Sequence, residues 1–273
     1  MNKIIVDTVK RALQEDIGSK DVSADLIDND KIMTAELICR DKAVICAKDY
    51  FNETFSQIDK NITINWLVKE GDYIKKNTII CAITGNSKTI LSGERTAINF
   101  LQTLCSSATA TYKLNEKITT NTKILDTRKT IPNLRYAQKQ AVLAGGGHNH
   151  RMGLYDAIMI KENHIIALGS ITNAVKKAKE KYPKLDLIVE IETIKQLKEA
   201  LLLPIDRILC DNFSVKKLKK TVKINNSKIP LEISGNINKK NIKKYVQTGV
   251  DFISIGSITK NIKSIDFSLR FKI

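Results

Sequence analysis

Between Lys3 and Gln14 the apolar positions 4, 5, 9 and 13 share one helix face, and the pattern stops near Gly18. Extended runs follow at 33–39, 44–47, 62–68 and 79–83, several alternating apolar with polar, and Gly71 and Gly85 supply turns. A helical pattern over 49–58 interrupts them. Strands flanked by helices predict a small layered unit, an N-terminal α/β sandwich domain over 1–104, to which the tail 266–273 is expected to return. From Ser92 to about Lys117 runs a long helical pattern with Glu94 in its first turn and apolar residues at 97, 98, 101, 104 and 108. It is expected to bridge this domain to the next.

The rhythm then changes. Short apolar runs occur at 123–126, 157–160, 185–189, 207–210, 230–233 and 251–255. From the second onward they recur every 20 to 30 residues or so, roughly the period of a strand-helix unit, with Lys-rich helical patterns between them. Strands buried on both faces and alternating with helices predict a parallel sheet closed or nearly closed on itself. The expected α/β architecture over 105–265 is an incomplete, about six-stranded TIM-like barrel.

Composition narrows the class. The chain has 273 residues, 42% of them hydrophobic and 27% charged, which excludes a disordered chain. No apolar run approaches the roughly 20 residues that span a bilayer. Asp7 falls before any apolar signal core, so no export is expected. Cys39, Cys46, Cys81, Cys105 and Cys210 form an odd set without a CxxC pair, and read as reduced, mostly buried thiols of a cytoplasmic protein.

Lys and Arg number 45 against 29 Asp and Glu, a formal charge of +16. That excess invites a polyanion-binding reading. Much of it, however, sits in Lys176-Lys177, Lys216-Lys217, Lys219-Lys220, Lys239-Lys240 and Lys243-Lys244, which fit the solvated faces of amphipathic helices. Aromatic residues are 5% of the chain and do not interleave the basic runs, so the stacking platform of a single-strand binder is missing. Neither a nucleic acid nor a membrane is the expected partner.

Polar residues at the predicted strand ends carry the chemistry, because parallel barrels gather catalytic groups there. In order they are Asp126-Thr127-Arg128-Lys129, Lys161-Glu162-Asn163-His164, Glu190-Ile191-Glu192, Asp211-Asn212, Ser234-Gly235-Asn236 and Gly256-Ser257. Cations come first, then acids, then small residues whose backbone N–H groups can approach a phosphate. Such a rim suits one substrate that carries phosphates with Mg²⁺ and ribose hydroxyls, and another whose carboxylates Arg forks grip. Glycosyl or phosphoribosyl transfer is the reaction class this set suggests. A glycine run, Gly145-Gly146-Gly147, leads to His148, His150 and Arg151 and is placed to close over the rim.

A different class competes for the same residues. His148 and His150 form a His-x-His pair, the ligand pattern of some metal-dependent barrel hydrolases. Against it, the pair trails a glycine run instead of ending a strand and has no acidic ligand nearby in sequence. A structural role for His148 and His164 is the plainer reading.

Five segments are specific enough to name a family. Leu91 to Gln102, containing ERTAINFLQ, Asp126 to Arg135, containing DTRKTIP, Gly145 to Leu154, Ile160 to His164 and Ser254 to Thr259 together resemble quinolinate phosphoribosyltransferase. The resemblance runs almost end to end. It implies transfer of phosphoribosyl from 5-phosphoribosyl 1-diphosphate to quinolinate with Mg²⁺, giving nicotinate mononucleotide, diphosphate and CO₂ in NAD biosynthesis. The related ModD-like proteins of molybdenum-transport operons share the fold and much of the rim; Arg135 and the intact clamp favour the quinolinate family.

The resemblance also implies roles. Arg128, Arg151 and Lys161 would clamp the quinolinate carboxylates with His150 beside them, and Arg95 would reach the neighbouring active site of a homodimer. Lys129 and Lys161 would face the diphosphate. Glu190 and Asp211 would hold the ribose hydroxyls and the Mg²⁺-bound diphosphate. Ser234, Gly235, Asn236 and Gly256 would offer donors to the 5-phosphate. Two departures stand out: Cys105-Ser106-Ser107 replaces Ser-Gly-Ile, and Ser-Gly-Asn replaces Ser-Gly-Gly.

Overall fold

The computed structural model describes residues 2–27 and 31–272. The chain opens with α1 (Lys3–Ile17), β1 (Ile32–Cys39), β2 (Ala43–Val44), α2 (Lys48–Ile58), β3 (Thr63–Trp66), β4 (Tyr73–Ile74), β5 (Thr78–Asn86) and α3 (Ser87–Asn115). It continues through β6 (Lys123–Leu125), α4 (Arg135–Ala144), β7 (Ile158–Ile160), α5 (Glu162–Leu168), α6 (Ile171–Lys181), β8 (Leu187–Ile191) and α7 (Ile194–Ala200). Last come β9 (Arg207–Asp211), α8 (Val215–Asn225), β10 (Leu231–Ser234), α9 (Ile242–Val246), β11 (Phe252–Ser254), α10 (Ser257–Lys260) and β12 (Phe267–Phe271).

Two compact units form: Met1–Tyr112 with Ile131–Gly146 and Asn261–Ile273, and Lys113–Thr130 with Gly147–Lys260. The first holds an antiparallel sheet in the order β12-β1-β5-β3. Alternation along β1 turns Ala35, Leu37 and Cys39 inward, where they join Val9 of α1, Phe51 and Phe55 of α2 and Ile90 of α3 in one core. Phe51 meets Phe55 and Trp66 edge-on at 5.1 and 5.2 Å. Asn2 caps α1 by accepting the Ile4 N–H at 2.9 Å. Helix α3 starts at Ser87, five residues before the sequence pattern, because β5 passes into it without a loop. Only its last turn leaves the first unit, so it is less of a bridge than its pattern suggests.

The second unit is a six-stranded parallel sheet in the order β6-β11-β10-β9-β8-β7. Among the described residues no ladder joins its edges β6 and β7. Instead His148 pairs in parallel with Leu125 beside β6, donating to Ile124 O at 2.8 Å and accepting from Asp126 N–H at 3.1 Å. The stretch that follows the glycine run is therefore tied to the sheet rather than left as a loose loop. Ser170, Thr193 and Ser214 cap α6, α7 and α8 through their hydroxyls. Helix α6 buries Ile171, Ala174 and Val175 while Lys176 and Lys177 face water, as the lysine runs predicted. Among the described residues no helix is long and apolar enough to cross a membrane.

Candidate active site

The strands of the parallel sheet end at or beside the polar residues read from the sequence, and two pairs of their side chains meet across neighbouring strands, Lys161 with Glu190 and Asp211 with Ser234. Lys161 follows β7, and its Nζ donates to Glu190 Oε2 on the neighbouring strand β8 at 2.8 Å. The lysine side chain remains 47% exposed, whereas Glu190 is 15% exposed, so the pair opens to solvent on its cationic side. The Lys161 N–H donates to His164 Nδ1 at 3.0 Å, which gives His164 the structural task of fixing the first turn of α5.

Two guanidiniums share this end of the sheet. Burial lowers the pKa of Arg151, the Arg128 charge lowers it further, and Asp156 and Glu190 oppose both effects. One Arg151 nitrogen, Nη1, is spent on Ala157 O at 3.0 Å, which orients the fork. Cations that repel each other in partial burial gain most from an incoming anion, and a fork suits a carboxylate. The turn behind Arg151 is fixed by Asp156, which accepts from Met152 N–H at 2.6 Å and Gly153 N–H at 2.9 Å.

Asp211 ends β9. Its Oδ1 accepts from the Ser234 hydroxyl at 2.8 Å and its Oδ2 from the Asn212 amide at 2.7 Å, which holds an acceptor at the rim in one orientation. After Ser234 the backbone enters the left-handed region at Gly235, with φ of 101°, and a Cβ there would lie 2.0 Å from Asn212 Oδ1. Asn236 continues at φ of 51°, a conformation asparagine tolerates, and its carbonyl accepts from Asn241 Nδ2 at 2.9 Å. Across the rim, a Cβ at Gly256 would come within 2.9 Å of Lys129 Cδ, so glycine gives that lysine its path. The Thr259 hydroxyl holds the Lys129 carbonyl at 2.7 Å.

Comparison with known proteins settles the family. The family description "Quinolinate phosphoribosyl transferase, N-terminal domain" matches residues 20–105, and its C-terminal counterpart matches 107–270. The chain belongs to the quinolinate phosphoribosyltransferase family. A Bacillus subtilis relative, a probable nicotinate-nucleotide pyrophosphorylase (carboxylating), is 39% identical over 93% of this chain and 89% of its own. A chloroplastic Arabidopsis thaliana pyrophosphorylase of the same kind is 36% identical over 96% of this chain and 81% of its own. The solved nicotinate-nucleotide pyrophosphorylase from Francisella tularensis superposes with a TM-score of 0.97 at 44% identity, over 100% of this chain and 97% of that one.

Seen as a quinolinate phosphoribosyltransferase, the chain brings Arg128, Lys129, His150, Arg151, Lys161, Glu190, Asp211, Ser234, Gly235, Asn236 and Gly256 into one unit. Arg95 is exposed on α3 in the other unit. The histidine-metal alternative finds no support in the side chains: His148 is exposed, and no group of three or more His, Cys, Asp or Glu gathers as a metal site among the described residues. Three charged residues have roles the sequence does not announce. Asp126, expected at the rim, is instead fully buried and accepts the His150 N–H at 2.8 Å. Glu232 and Arg207 lie inside strands, paired at 3.1 Å. Burial opposes the charge of Glu232, but His150, Ser254 and Arg207 outweigh it and hold its pKa below the usual carboxylate value. A charge interrupting an apolar run, as in Leu231-Glu232-Ile233, was the available signal.

Proposed function

We propose that this chain transfers phosphoribosyl from 5-phosphoribosyl 1-diphosphate to quinolinate and releases CO₂, yielding nicotinate mononucleotide for NAD biosynthesis. The observation that carries this reading is the grouping of Arg128 and Arg151 beside the Lys161–Glu190 pair. That set matches a flat dicarboxylate better than a phosphate ester alone.

Arg128, Arg151 and Lys161 take the two carboxylates and leave the ring nitrogen facing the ribose. The nitrogen lone pair forms the bond to the anomeric carbon as the bond to diphosphate breaks, and the electron pair leaves on the diphosphate oxygen. Lys129 and Lys161 stabilise that charge. Glu190 and Asp211 hold the ribose hydroxyls and steady the positive charge that develops at the anomeric carbon. Ser234, Gly235, Asn236 and Gly256 receive the 5-phosphate. When the adjacent carboxylate departs as CO₂, the electron pair of the broken bond stays on that ring carbon, where the positive charge of the ribosylated nitrogen stabilises it, and it then takes a proton from water. A site drier than bulk water favours this step.

Glu190 and Asp211 end neighbouring strands, and no third carboxylate completes a cage around them among the described residues. This fits Mg²⁺ held chiefly by diphosphate oxygens, with the two acids assisting; the ion supplies charge neutralisation of the leaving group. Homodimer formation, with Arg95 entering the partner's site, is supported by Leu154, Tyr155 and Ile166, which are 72%, 73% and 69% exposed near the rim. Five buried thiols suit a reducing compartment, which supports a cytoplasmic location. The test is loss of quinolinate absorbance on mixing with phosphoribosyl diphosphate: it must require both that substrate and Mg²⁺, and loss without either overturns the proposal.

A further inference from the structure

Glu232 is a fully buried carboxylate in the middle of β10 and has no part in the roles above. Strand register sets it in a row with Leu209 of β9 and Phe252 of β11. Two basic side chains bracket it. Arg207 donates from Nη1 to Oε2 at 3.1 Å and lies over the Phe252 ring at 4.1 Å. On the other side, Oε1 faces His150 Nε2 at 3.4 Å, and the His150 side chain is only 6% exposed.

The far edge of the His150 ring decides which nitrogen holds the proton. Nδ1 lies 2.7 Å from the backbone nitrogen of Arg151. An amide nitrogen only donates, so Nδ1 is the acceptor and the ring proton sits on Nε2, on the edge that faces Glu232 Oε1 at 3.4 Å without the alignment of a hydrogen bond. The His150 N–H is taken in turn by the buried Asp126 at 2.8 Å. One buried carboxylate, Asp126, therefore holds the His150 backbone, the other, Glu232, faces its ring, and His150 holds the amide of Arg151.

We infer that Glu232, locked by Arg207, is a positioning residue: it fixes the Nε2–H tautomer of His150, which sets the Arg151 backbone and aims that guanidinium at the substrate dicarboxylate. The identity of the ligand rests on the proposed activity, whereas the tautomer does not. A neutral amide in place of Glu232 turns its oxygen to Arg207 and its NH₂ to His150. That favours the opposite tautomer and removes the acceptor for Arg151 N–H.

The chain has three histidines, His148, His150 and His164, so ¹⁵N-histidine labelling resolves three rings, and a His150→Gln spectrum assigns the one that matters. In the wild type the His150 ring is expected with its proton on Nε2. In Glu232→Gln it shifts to Nδ1, and the KM for quinolinate rises about tenfold, the loss of roughly one hydrogen bond, while that for phosphoribosyl diphosphate changes less than about twofold. Glu232→Asp, which keeps the carboxylate, restores the wild-type tautomer. A wild-type proton on Nδ1 overturns the inference even if Glu232→Gln does not fold. An unchanged tautomer in a folded Glu232→Gln overturns it as well. Failure of the proposed reaction shows instead as no turnover of quinolinate by the wild type, and leaves the tautomer result to decide this point.

Discussion

Lys161 and Glu190 nearly neutralise each other at 2.8 Å, while burial and the nearby Arg128 charge both act against the charge on Arg151. Losing either kind of contact therefore falls on substrate and transition state more than on the fold. Arg128→Ala and Lys161→Ala are each expected to lower kcat/KM at least about 10²-fold, the cost of one preorganised charge contact, with an unchanged circular dichroism spectrum. Substantial turnover by either variant contradicts the assigned roles. Gly235→Ala carries a different cost. Its φ of 101° and the Asn212 atoms within 2.0 to 3.1 Å of the new methyl predict destabilisation by about 1–3 kcal/mol, read by urea unfolding, and weaker binding of phosphoribosyl diphosphate. Glu232 gives a pH signature. Its folded pKa lies below the ordinary 4.5, so its contribution is present above that value and lost as the pH falls below it. The stability advantage of wild type over Glu232→Gln should narrow below about 4.5 in thermal unfolding.

At the scale of elements, the rim was readable because parallel strands announce themselves as apolar runs and end on the polar residues that matter. All six predicted runs became strands of the sheet. What the pattern missed were devices without periodicity. The extended run at 44–47 overlaps β2 only at Val44, the two-residue β4 is too short to show alternation, and α4 follows a proline turn with only Ala137, Ala141 and Val142 as its apolar buried residues. Glu232 and Arg207 were passed over because a buried ion pair reads, one residue at a time, as a defect in a strand. Strand β12 lies antiparallel beside β1, paired from Ala35 with Phe271 to Cys39 with Phe267. Removing residues 266–273 exposes that edge and releases the buried Phe267. The expected cost is about 2–4 kcal/mol, seen as a lower Tm, and an unchanged Tm contradicts a structural role for the strand.

Over the whole molecule the charge of +16 divides in two. The lysine runs of α6, α8 and α9 face water and favour solubility. Negligible DNA or RNA binding at physiological salt is therefore expected in a filter or mobility assay. The remaining cations, Arg95, Arg128, Lys129, Arg151 and Lys161, are the ones assigned to anionic substrates. If Arg95 completes a partner's site, Arg95→Ala and Lys161→Ala are each nearly inactive alone. Subunit exchange between them then restores about one quarter of wild-type activity, since half of the dimers become mixed and each carries one intact site. No recovery on mixing contradicts a shared site. The coupling of transfer to decarboxylation tests the central claim most directly, using quinolinate labelled in the carboxylate next to the ring nitrogen. Labelled CO₂ should appear in equal amount with nicotinate mononucleotide, and only when phosphoribosyl diphosphate is present. Label retained in the nucleotide, or diphosphate released without consumption of quinolinate, would contradict it.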